Sequence, residues 1–192
     1  MNSNAKIAIM KTRIITFITM LLAAVVYGQQ DAQFTQYMYN TISINPAYAG
    51  SRGVMSIFAL HRTQWVVGLD GAPTTNAASI NTPISNSNLG LGLSFVNDKI
   101  GPTNENTISA DLSYTIPTSE NFKLSFGMKA TANLFNLNAN KLNPVDQGNP
   151  QFQNLRNVFT PNIGAGIYYH SDKAYLGLSV PNFIQTNRYD DN

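Results

Sequence analysis

The sequence predicts an all-β chain: an antiparallel transmembrane β-barrel of the outer-membrane type, with seven strands visible. Three observations carry that expectation. Polar and apolar residues alternate with period two over several long stretches, the mark of strands whose two faces meet different surroundings. Charged residues make up only 11% of the chain, against roughly 25% in an average soluble domain. Past the N-terminal region no stretch is long and apolar enough for a membrane helix, which needs about 20 residues.

The chain opens on a basic stretch with Lys6, Lys11 and Arg13, followed by "IITFITMLLAAVV", Ile14 to Val26, apolar apart from two threonines. Small residues, Val26 and Gly28, precede a possible cut after Gly28. Residues 1–28 therefore read as a secretory signal peptide; the alternative is an uncleaved anchor. There are no cysteines, so an exported chain of this kind holds itself by packing or closed hydrogen bonding rather than by disulfides.

Residues 29–50, "QQDAQFTQYMYNTISINPAYAG", form an N-terminal segment expected on the periplasmic side. It holds one charge, Asp31, and the aromatics Phe34, Tyr37, Tyr39 and Tyr48. Disordered tails carry few aromatics, so the segment is expected to be ordered at the barrel mouth, as a plug or as a surface for a partner. Asn45-Pro46 reads as a turn, and Ala49-Gly50 permits close backbone approach where the first strand begins.

Residues 51–192 are read as the barrel domain. Val54–Trp65 and Thr74–Thr82 are rougher strands. In Leu89–Val96, Leu89, Leu91, Leu93 and Phe95 oppose Gly90, Gly92, Ser94 and Val96. Thr107–Ile116, "TISADLSYTI", puts every polar residue on one face and every apolar one on the other. Phe122–Leu134 repeats that division, with Lys123, Ser125, Gly127, Lys129, Thr131 and Asn133 on the polar side. Asn162–His170 and Ala174–Val180 follow. The alternation suits a soluble sheet with its apolar face inside and an outer-membrane barrel with its apolar face in lipid. Strand length favours the barrel, since spanning takes about 9–11 residues per strand. Tyr114, Tyr168, Tyr169 and Tyr175 lie near strand ends, as interfacial aromatics do.

The links support the same reading. "ISNSN" (Ile84–Asn88), "PTSEN" (Pro117–Asn121) and "HSDK" (His170–Lys173) are short, whereas Val66–Pro73, Asn97–Asn106 and Asn136–Pro161 are longer. Short periplasmic turns alternating with longer outside loops are a habit of bacterial barrels. Seven strands that start in the periplasm end outside, at "VPNFIQTNRYDDN". Single-chain bacterial barrels carry an even number, so a truncated chain and an incomplete barrel are expected. The alternative is a missed strand and a small complete eight-stranded barrel.

Two blocks have a further likeness. "QFTQYMYNTISINPAYAGSRG" and "ALHRTQWVVGLDGAPTT", with "LGLSFVNDKIGPTN" after them, resemble the PorP/SprF family of outer-membrane proteins. That family belongs to the type IX secretion and gliding machinery of Bacteroidetes-type bacteria. The resemblance runs from about Gln29 to the end of the chain. It implies a β-barrel in outer-membrane lipid, partnered by secretion components and by secreted adhesin-type clients whose export or surface attachment it serves.

The chemistry is sparse. His61 and His170 stand far apart with no carboxylate at metal-ligand spacing, no Gly-x-Ser-x-Gly is present, and "LGLGL" lacks the spacing of a phosphate loop. Asp98 in "NDKIGP" could bind a cation with Asn97, but reads as a turn residue. No catalytic residue, cofactor or metal is expected, and no basic cluster points to nucleic acid. In "HRTQW", Arg62 and Gln64 share one face. Trp65 reads as an interfacial anchor and Arg62 as a lumen charge paired with Asp70, Asp111 or another carboxylate. The functional alternative is that Arg62, Gln64 and Trp65 bind the N-terminal segment or a client. The candidate partner-binding residues are thus Phe34, Tyr37, Asn45, Pro46, Tyr48, Gly50, Arg62, Gln64, Trp65 and Asp98. A passive porin, a structural anchor and a soluble enzyme are the competing functions.

Overall fold

Among the described residues, seven antiparallel strands pair in chain order into one sheet. They are β1 (Ser56–Thr63), β2 (Thr74–Pro83), β3 (Leu89–Ile100), β4 (Thr103–Pro117), β5 (Lys123–Leu137), β6 (Leu155–His170) and β7 (Tyr175–Val180). The computed structural model describes residues 40–64, 71–138 and 155–184, without the side chains of 155–157. The signal region, Phe34, Tyr37, Trp65 and Asp70 lie outside the described residues. Everything below concerns the compact unit Thr35–Asn192. Among the described residues no helix is long and apolar enough to cross a membrane.

Strands β3 to β6 run 12, 15, 15 and 16 residues, more than the roughly 9–11 needed to span hydrocarbon and far beyond the usual 5–6. Register stacks like with like. Leu91, Leu112, Met128 and Ala165 stand side by side, as do Leu93, Ala110, Ala130 and Ile163. Between those rows lies one of Gly92, Asp111, Lys129 and Gly164, pointing the other way.

The faces are reversed relative to a water-soluble sheet. Leu93 is 58% and Met128 68% exposed, while Asp111 is 2% exposed and Ser113 fully buried. The apolar rows face out and the polar rows face in. The sheet curls into a half-barrel around its polar face. One short segment, residues 40–50, shows the curvature directly, because it touches β2 through β7. Strands lie ~4.8 Å apart, so a flat sheet would spread those elements over roughly 24 Å.

Two readings of the sequence are corrected. Asn97–Asn106 is not a long link: β3 runs to Ile100, β4 starts at Thr103, and Asn97 pairs with Asn106. These residues are polar on both faces, so the alternation vanishes while the strands continue. The three links at that end are therefore 64–73, 101–102 and 138–154, and the middle one is the shortest turn in the sheet. The barrel reading rests on strand faces, not on link lengths. The second correction concerns Tyr168. Neighbours in a strand point to opposite faces, so Tyr169 is outward and Tyr168, 7% exposed, is inward.

Candidate functional site: the segment seated in the concave face

Residues 40–50 lie against the inward face as two 3-10 turns, Thr41–Ser43 and Pro46–Tyr48. The second turn follows from its residues. Asn45 caps it, its Oδ1 accepting from Ala47 N at 3.0 Å. Pro46 occupies the first position, where a missing N–H is harmless and its fixed φ suits the turn. Asn45 Nδ2 then donates to Ile167 O of β6 at 3.0 Å, so one amide both shapes the turn and ties it to the wall. Gly50 ends the segment at φ +69°, a left-handed conformation that glycine adopts without strain. A side chain there would also meet Gly90 Cα at 2.9 Å.

The contacts tie the segment to several strands at once. Ser79 Oγ of β2 donates to Asn40 Oδ1 at 2.9 Å, and Gly50 N donates to Asn81 Oδ1 at 3.4 Å. Ser113 Oγ of β4 donates to Ala49 O at 2.6 Å. Lys129 Nζ of β5 donates to Ile42 O at 3.0 Å. Tyr48 meets Tyr168 of β6 edge to face, with ring centroids 5.5 Å apart. Ile42, Ala47 and Ala49 are buried. Burying a side chain the size of Ile42 contributes about 1.5–3 kcal/mol.

The room for this packing comes from glycine. An added Cβ would collide with Ala49 O at Gly90, with the Ile42 side chain at Gly92, with the Ala47 and Pro46 backbone at Gly127, and with the Asn45 side chain at Gly166. At Gly127 the obstacle is backbone and cannot rotate away. The glycines of "LGLGL" are therefore a seat, which explains an alternation that could be read only as a strand. The available signal was their place on the polar face of long strands, where a Cβ is dispensable only if something else fills the space.

Sequence reading also missed the charge pair. Lys129 Nζ lies 3.0 Å from Asp111 Oδ1, both side chains being almost wholly buried. The carboxylate oxygens accept no well-aligned hydrogen bond, so the contact is mainly one of charge. The residues are cross-strand partners. Lys129 thus neutralises a wall carboxylate and holds the backbone of the seated segment.

The other expected site residues are elsewhere. Asn45, Pro46, Tyr48 and Gly50 sit together in the seat. Arg62 is on the inward parity of β1, in the row of Thr75 and Asp98 at the opposite end of the strands. Asp111 has Lys129 as its cation, so it is not the partner foreseen for Arg62. Gln64 follows β1, its N–H donating to Pro73 O at 3.0 Å. Asp98 is a strand residue, not a turn residue, and accepts from Thr75 Oγ1 at 2.6 Å. Asn97 and Asp98 are neighbours in β3 and point to opposite faces, so they cannot share a cation. His61 is outward and His170 inward, and the described residues hold no cluster of three metal-ligating side chains. What the site can do chemically is bind: it offers hydrogen bonds, one charge pair and shape.

Neither the curated proteins nor the solved structures compared with this chain include a significant match. The family model described as Type IX secretion system membrane protein PorP/SprF matches residues 26–192, and on that coverage the chain belongs to this family of secretion-system membrane proteins.

Proposed function

We propose that the chain is an outer-membrane β-barrel component of the type IX secretion system that supports secretion or surface attachment of adhesin-type clients. The N-terminus lies in the periplasm, residues 1–28 act as the export signal, and gliding motility in a Bacteroidetes-type cell is the setting. The observation that carries this reading is the reversed sheet, apolar outside and polar inside, in a member of a secretion membrane family. The partners are outer-membrane lipid, other secretion components and the clients. The role is binding rather than catalysis.

The seated segment favours a plugged component over a passive porin. It fills the half of the concave face nearest the turns 84–88, 118–122 and 171–174. Residue 50 leads into β1, whose first residue, Ser56, lies at that same end of the sheet, so the segment sits where the chain enters the sheet. Gly127→Val tests this. A larger side chain against the Ala47 backbone is expected to expel the segment and, as overpacking, to destabilise by about 1–3 kcal/mol. Planar-bilayer recordings should show a silent wild type and conducting Gly127→Val, while the variant loses client display at the cell surface. A steadily conducting wild type would favour the porin, and recovery of the mature chain in the soluble fraction without detergent would sink the barrel reading altogether.

A further inference from the structure

We propose that the outward surface of β1–β4, just beyond the apolar rows, binds the headgroup of a phosphorylated glycolipid of the outer leaflet; this rests on the outer-membrane reading above. The last apolar outward row there is Ala59, Ala78, Phe95 and Ile108. The next is wholly polar: His61, Asn76, Asn97 and Asn106. The one after it is Thr63, Thr74, Lys99 and Asn104. Successive outward rows are about 7 Å apart along a strand, so the first polar row falls within the headgroup zone that borders the hydrocarbon and the second at its outer edge.

The side chains form a directed ladder. His61 Nδ1 is 2.6 Å from Asn76 Oδ1, and Asn76 Nδ2 donates to Asn97 Oδ1 at 3.3 Å. Asn97 Nδ2 donates to both Asn104 Oδ1 and Asn106 Oδ1 at 2.8 Å. The acceptors are thereby occupied. The amide N–H groups of Asn104 and Asn106 and the Lys99 ammonium remain, without partners among the described residues. The nearby carboxylates, Asp98 and Glu105, are on the inward parity of the same strands. Among the described residues the surface therefore offers donors and a cation and no anion, which suits phosphate and sugar oxygens. Phe95 and Ile108, exposed directly below, would carry the acyl chains of the same molecule. A free anion would gain only the upper half of that contact, and this selects a lipid.

The test uses the full chain reconstituted in phosphatidylcholine nanodiscs containing either diphosphorylated lipid A or its dephosphorylated form, with lipid retention read by native mass spectrometry. Wild type should retain the phosphorylated form about tenfold better, the size of one lost charge-assisted hydrogen bond. Lys99→Glu combined with Asn104→Asp should abolish that preference, and Asn104→Ala with Asn106→Ala should weaken it, with heat-modifiable gel migration confirming an intact barrel. Millimolar inorganic phosphate should not displace the lipid. Equal retention of the two lipids by an inserted wild type, an unchanged preference in the charge-reversed variant, or displacement by phosphate would each overturn the proposal alone. A chain that fails to enter the discs overturns it together with the outer-membrane reading.

Discussion

Ser113 and Tyr114 are neighbours in β4, yet Ser113 is fully buried, its hydroxyl on Ala49 O, and Tyr114 is 48% exposed. The same contrast runs along the sheet. Around the seat, inward positions are mostly serine, threonine, asparagine and glycine, with the Asp111–Lys129 pair and Tyr168, packed against residues 40–50. Outward positions along the middle of the strands are mostly leucine, isoleucine, phenylalanine and methionine, uncovered by any of the described residues. In water this arrangement would expose apolar rows at roughly 25 cal/mol per Å² and bury hydroxyls. In lipid the apolar rows are solvated, and the hydroxyls are satisfied by one another and by the seated segment. The difference teaches that the solvent of this protein is on the apolar side and that its core is polar.

The largest expected effect breaks the inward half of that comparison. Lys129→Met leaves Asp111 buried and unpaired and removes the bond to Ile42 O, at a cost of about 3–5 kcal/mol. Lys129→Met with Asp111→Asn should recover most of it, because the uncompensated charge is then gone. Urea unfolding from lipid vesicles reads both. A single variant as stable as wild type would mean that water or ions reach Asp111.

The outward half breaks differently. Leu93→Arg puts a charge on the lipid-facing row and should destabilise by about 2–4 kcal/mol near the bilayer midplane. On a water-exposed surface the same change stays within about 0.5 kcal/mol. Assembly into vesicles, followed by heat-modifiable migration, separates the two; neutral behaviour of Leu93→Arg would place the apolar rows in water.

How far the sequence shows this depends on where alternation survives. All seven strands and their chain order were legible, because a period of two persists through 107–116 and 122–134 without interruption. Alternation alone could not say which face was inside. Asn97–Asn106 reads as a link in the sequence because polar residues on both faces erase the alternation there while the ladder continues. Asp111 and Lys129 could each be assigned to a polar face, but their meeting depends on register, which the 118–122 turn sets. Asn45, Pro46 and Gly50 announce local geometry in their own chemistry, and they are where a turn and a close approach occur. The seat itself is non-local, made by four glycines on three strands, and only the folded sheet brings them under one segment.

The smallest expected effect sharpens the comparison within the inward face. Ser113 and Ser109 lie on the same face of β4, both buried. Ser113 bonds the seated segment, while Ser109 Oγ lies 3.1 Å from Thr131 Oγ1 on the neighbouring strand. Changing either to alanine removes one neutral hydrogen bond, about 0.5–1.5 kcal/mol, so global stability should not distinguish them. Local opening should. Ser113→Ala frees Ala49 O and is expected to speed amide exchange across residues 45–50 about two- to tenfold, the exchange factor that such an energy sets when opening is local. Ser109→Ala loosens only wall against wall and should leave those amides unchanged. Equal acceleration in both variants would mean that segment and wall open as one unit. No acceleration in either would mean that the glycine seat and the Lys129 contact hold the segment without help from Ser113.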